Sequence, residues 1–204
     1  MLDLVVLVAD KNMKFAFEGL LLNRRLTIRA LDAAVFPHPK RDPGVLRQCH
    51  DFLRSQQRLA AYAVVMFDRA GCGSEESRVV LESEVEARMA ANGWVGRSAA
   101  VVIDPELEEW VWAGYSQIEQ TLGWPCGHGS LEEWLIRERY LYPGQNKPAQ
   151  PKKALEHALH LSNMRRSSAF YSKLAKAVDF ERCTDAAFAK LRAVLAAWFP
   201  KQAG

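Results

Sequence analysis

Three aspartates stand where continuous aliphatic runs stop: Asp10 after LVVLVA, Asp68 after AAYAVVMF and Asp104 after AAVVI. Runs of this kind, without polar alternation, suit strands buried on both faces of a parallel sheet. Ligands of open α/β sheets bind beyond the carboxyl ends of the strands, so the three carboxylates are expected to converge on one edge. Carboxylates held together repel unless a cation neutralises them, and hard oxygen donors select Mg²⁺ or Mn²⁺ over zinc. Glu106, in the DPELEEW run after the fourth strand, adds a further acid. His38, Arg41 and Asp42 in the PHPKRDPG loop, with Lys11 beside Asp10, are of the types that act on a phosphate. Arg41 or Lys11 would clamp it, and His38 would serve as general acid or base. Each residue also has an ordinary reading: strand-end aspartates cap helices, exposed cations are solvated, and a loop histidine is hydrogen-bonded.

The elements that must position these groups alternate. Leu4 to Ala9 reads as the first central strand, Lys11 to Arg25 as a helix and Leu26 to Leu31 as a short second strand. Asp42 as N-cap and Pro43 in the first turn open a helix running to Gln57. Ala60 to Phe67 is the third strand, followed by the turn DRAGCGSEES. Ser74 is expected to cap the next helix, which stops at Asn92-Gly93, and Ala99 to Ile103 is the fourth strand. The pattern predicts an α/β fold with a mainly parallel four-stranded sheet flanked by helices. Beyond Tyr115 the signal is helical, over 131–141, 151–161, 167–178 and 185–199, with PGQNKPAQP as a linker. Residues 1–114 are thus expected to form the α/β domain and 115–204 a helical C-terminal lobe packed on it.

Composition excludes several classes. The 204 residues, 49% hydrophobic and 25% charged, are enough for a self-standing core. Cys49, Cys72, Cys126 and Cys183 form no CxxC pair and no zinc spacing. No stretch approaches the ~20 apolar residues of a membrane span. Asp3 and Asp10 bracket the short apolar run at the start, unlike a signal peptide, so a cytoplasmic protein without membrane contact is expected. The glycine turn lacks the Gly-Lys-Ser/Thr of a Walker A loop. No GxSxG elbow supports a triad of Ser74 or Ser77 with His38 and Asp104. Cys72 near His38 reads as packing rather than as a thiol site.

A net charge of +3 from 27 basic and 24 acidic residues does not by itself argue for a polyanion partner. The distribution is more informative. Lys147, Lys152, Lys153, Arg165, Arg166, Lys173, Lys176 and Arg182 gather in the C-terminal half. They read either as a face that neutralises DNA or RNA phosphates or as solvated helix surfaces.

The segments LVVLVADKNMKFAFEGLL, VMFDRAGCG and VVIDPELEEWVW resemble those of Toprim-like proteins, the fold of topoisomerases, primases and the overcoming-lysogenization-defect nucleases. With KPAQPKKAL and SSAFYSKLAKAVDFERCTDAAFAKL, the chain more closely resembles small bacterial Toprim-like proteins encoded beside an ATPase in phage-defence islands. The resemblance implies a Mg²⁺- or Mn²⁺-dependent nuclease or phosphodiesterase acting in anti-phage defence with an ATPase partner. It also implies that Asp10 takes the place of the glutamate after the first strand, and Asp68 that of the first aspartate of a DxD. Ala70 stands where the second aspartate belongs, and Asp10 is one methylene shorter than glutamate. Asp104 with Glu106, or Glu75 and Glu76, would then complete the shell around the ion. The same departures imply an alternative, a catalytically silent module that binds or regulates its partner.

Overall fold

The computed structural model describes residues 1–23, 25–177 and 183–201. Its first strand, β1 (Leu2–Val8), has Leu4 to Val8 without exposed surface, as expected of a strand covered on both faces. β1 lies between β2 (Ala33–Pro37) and β3 (Ala60–Asp68), and β3 pairs with β4 (Ser98–Ile103). All pairings are parallel, giving the order β2-β1-β3-β4. The helices α1 (Lys11–Leu21), α2 (Arg41–Phe52) and α3 (Arg78–Met89) make the crossovers. The protein is therefore an α/β fold with a four-stranded, all-parallel sheet flanked by helices.

The second strand lies later than the sequence pattern placed it, at Ala33–Pro37 instead of 26–31. Ile28 forms an antiparallel bridge with Pro200, and the Arg29 amide donates to the Phe199 carbonyl, so this segment follows the C-terminal tail. Asp3 then fixes the entry to β2 by accepting from the Asp32 amide and from the Arg29 guanidinium. That pairing holds the Asp3 carboxyl down at about 2. Helix ends shift as well. α1 stops at Leu21, and Ser77 rather than Ser74 caps α3, accepting from the Val80 amide.

The outer edge of β4 is closed by side chains. Glu82 and Glu86 of α3 accept from the Val102 and Ala100 amides, and Arg78 and the Lys190 ammonium neutralise them. An unpaired strand edge invites intermolecular pairing, and this arrangement removes that invitation.

The C-terminal part comprises α4 (Glu108–Val111), α5 (Tyr115–Leu122), α6 (Leu131–Arg137), α7 (Pro151–Leu161), α8 (Ser168–Ala177) and α9 (Ala186–Trp198). It shares one continuous hydrophobic core with the sheet. α8 packs along α1, while α9 packs on β4 and stacks Trp198 on Tyr62 with ring centres 4.5 Å apart. Val178, the expected end of the 167–178 helix, and Arg182 lie outside the described residues. No helix among those described is long and apolar enough to cross a membrane.

Candidate functional site

Strand order decides where the sheet opens. From β1 the chain crosses outward to β2, whereas from β3 it crosses the other way to β4, so the carboxyl ends of β1 and β3 flank the topological switch point. Val8 is level with Met66, which puts Asp10 and Asp68 at matching heights two residues further on. Asp10 is at once a helix cap and a site residue: its Oδ1 accepts from the Met13 amide at 2.9 Å and starts α1. Asp42, expected as the cap of α2, reaches across instead. Its Oδ1 accepts from the Asp68 amide at 2.8 Å, while Lys40 occupies the cap position without a side-chain bond.

Asp68 itself is the anomaly of this edge. Its Oδ1 is enclosed and has no hydrogen-bond partner. Burial, and then the charges of Asp42, Glu108, Asp10 and Glu106, push its carboxyl well above the usual range. Burial likewise raises Asp42, with the Asp10 charge contributing. A buried carboxylate ordinarily finds a donor, and an orphaned one at a strand end is a candidate for function.

Asp104 does not join this group. Because Asp68 is level with Ile103, Asp104 is level with Arg69, and alternate residues along a strand point to opposite faces. Asp104 instead accepts from Arg69 Nε at 2.7 Å. Glu106 is close enough to raise Asp68 but pairs with Lys152 Nζ at 2.8 Å. Ala70 is exposed, and its amide donates to the Pro105 carbonyl. Glu75 and Glu76 are at the surface of the following turn.

Beside the acids, a cleft of about 370 Å³ opens between the ends of β1 and β2. Asp10, Lys11, Asn12, His38 and Arg41 line it, so the structure gathers the three residues expected to handle a phosphate. His38 is buried against Phe52, and its Nδ1 accepts from the Lys40 amide at 3.1 Å. That bond places the proton of the neutral ring on Nε2. Burial first, and the Lys40 charge second, hold its pKa below the ordinary value. His38 is thus a neutral ring at neutral pH, with its Nε2–H free to donate into the cleft. Gly44 makes room for it, since a Cβ there would stand 2.1 Å from His38 Nδ1. Gly44→Ala is expected to displace the ring and cost about 1–2 kcal/mol, read as a lower urea midpoint with an unchanged slope. An unaltered midpoint would show that the wall of the cleft is soft.

Three members of the expected basic face are paired with acids of the 106–109 run. Lys152 pairs with Glu106, Lys147 with Glu109 at 3.4 Å, and Arg166 with buried Glu108, to which the Tyr171 hydroxyl also donates. Lys153 and Arg165 remain exposed, as do Lys173 and Lys176. Glu108, which sequence reasoning left without a role, proves to be the buried acid on which Arg166 and Tyr171 converge.

The oxygen donors of Asp10, Asp42 and Asp68, with the orphaned Asp68 Oδ1 among them, fit a hard divalent cation in their chemistry. Among the described residues no three His, Cys, Asp or Glu groups are drawn close enough to hold an ion as they stand. No family model, curated protein or solved structure matches the chain.

Proposed function

We propose that this protein is a Toprim-like, Mg²⁺- or Mn²⁺-dependent phosphodiesterase that cleaves nucleic acid, acting in the bacterial cytoplasm in anti-phage defence with an ATPase partner. The defence context and the partner rest on the resemblance. The chemistry rests on one observation: the unpartnered Asp68 Oδ1 beside Asp10 and Asp42 at the switch point of a parallel sheet. Asp68 and Asp10 would hold the ion, with Asp42 orienting Asp68 through its amide. A bound Mg²⁺ or Mn²⁺ there supplies an activated water and charge neutralisation at phosphorus. Lys11 and Arg41 would bind phosphate oxygens in the adjoining cleft, and His38 would donate from Nε2.

Two features favour the second reading, a catalytically silent binding module: Ala70 at the second DxD position, and Asp104 committed to Arg69. A plasmid-nicking assay with Mn²⁺ separates them. The enzyme reading expects nicking by the wild type that falls at least a hundredfold in Asp68→Asn, in line with the loss of a metal-dependent step. Nicking that survives the substitution, or none from the complete complex with its partner, would leave the silent module.

A further inference from the structure

His38 is held as a fixed donor. It stands between Pro37 and Pro39, whose rings restrict the backbone on either side, and its amide donates to the Val8 carbonyl at 2.8 Å. The ring packs against Phe52 and Gly44, and its Nδ1 accepts from the Lys40 amide. The residue is only 5% exposed, yet its Nε2–H has no acceptor among the described residues and faces the cleft. A buried donor without an acceptor is costly, and here the open side is the cleft.

Two cations border the same opening. Lys11 begins α1 and Arg41 begins α2; both are exposed, and neither has an ion-pair partner among the described residues. Arg41 adopts a φ of 50°, the left-handed region in which glycine costs less. Asp10 is the carboxylate on this lining, and the Met13 amide already occupies its Oδ1. Two cations against one carboxylate leave the lining positive.

We propose that this cleft receives a terminal phosphate, the phosphomonoester at the end of a nucleic-acid strand or on a nucleotide, and does so without a metal ion. Three donors, the His38 Nε2–H, the Lys11 ammonium and the Arg41 guanidinium, match the three terminal oxygens of a monoester, whereas an internal diester or a carboxylate offers two. A monoester also carries about twice the charge of a diester at neutral pH. The inference rests on the phosphate-handling role given to these residues above and names the substrate end they select; it makes no use of an ion at Asp68.

The test is calorimetric titration in EDTA of a short single strand bearing a 5′- or a 3′-phosphate, of the same strand unphosphorylated, and of the mononucleotides. The proteins are the wild type, Lys11→Met and Arg41→Gly, both changes lying at exposed positions and the second easing the left-handed backbone. The wild type should hold one phosphorylated strand about tenfold more tightly than the unphosphorylated one, and each variant should lose about tenfold, the size of one charge-assisted hydrogen bond. In proton spectra the ring signal of His38, alone of the five histidines, should shift as the phosphate binds. Tighter binding of the strand than of the mononucleotide assigns a strand end, and equal binding a nucleotide. Equal affinity for phosphorylated and unphosphorylated strands, or no loss in either variant, would overturn the proposal. With no ion present, that failure is separate from a failure of Mn²⁺ to bind at Asp68.

Discussion

Freed of divalent ions at about pH 7.5, Asp68→Asn should melt about 4–10 °C above the wild type, a gain of about 2–3 kcal/mol. The reasoning begins with the orphaned oxygen: Asp68 Oδ1 is enclosed without a donor, amid the charges of Asp42, Glu108, Asp10 and Glu106. Folding therefore disfavours the ionised carboxylate, and its folded pKa is raised above the unfolded value of about 3.9. For a raised carboxylate the folded state keeps its proton longer, so stability falls as pH rises from about 4 toward the folded pKa and then levels off. Asparagine has no charge to bury. The gain should thus vanish below about pH 4, grow above it and reach a plateau, as measured by thermal unfolding across pH in EDTA. A lower melting temperature in Asp68→Asn at neutral pH would mean that the carboxylate is satisfied in solution, and the argument for a strained site would fall.

The largest loss should come from Glu108→Ala, at about 3–5 kcal/mol. Glu108 is buried at the start of α4, where the Arg166 guanidinium and the Tyr171 hydroxyl both donate to it. Burial, followed by the Glu108 charge, pushes the Tyr171 hydroxyl far up, so it remains a donor throughout the ordinary range. Removing the acid takes from the Arg166 guanidinium its buried partner, leaving it only Glu156 and the Tyr171 hydroxyl, and loosens the seam between α4, α7 and α8. Tyr171→Phe should cost less, about 2 kcal/mol, because it removes the bond the hydroxyl donates to Glu108 and the one it accepts from Arg166 Nε but leaves the ion pair. Equal losses in the two variants, read as chemical unfolding midpoints, would contradict the view that the charge pair holds the seam.

Three of the four strands were legible because each is an aliphatic run covered on both faces, a pattern that local sequence displays directly. β2 was not, since Ala33–Pro37 is a short edge strand of small and half-exposed residues ending in proline, while the more strand-like 26–31 segment is drawn to the C-terminal tail. Asp10 and Asp68 could be paired from their positions after strands. Asp104 looked equivalent to them, and a one-residue offset of register sends it to Arg69 instead, a distinction that no local pattern encodes. The same holds for the basic lobe. Lys147, Lys152 and Arg166 find their acids 38, 46 and 58 residues away along the chain. A cluster of charge in sequence gives no sign of which cations meet phosphate and which neutralise the protein's own carboxylates.

The central claim is that the β1–β3 edge is a divalent-cation site built on Asp68. It is tested most directly by titrating Mn²⁺ into the wild type and Asp68→Asn and following heat. Micromolar binding to the wild type that is lost in Asp68→Asn is the predicted result. Equal binding to both, or none to the wild type, would contradict it.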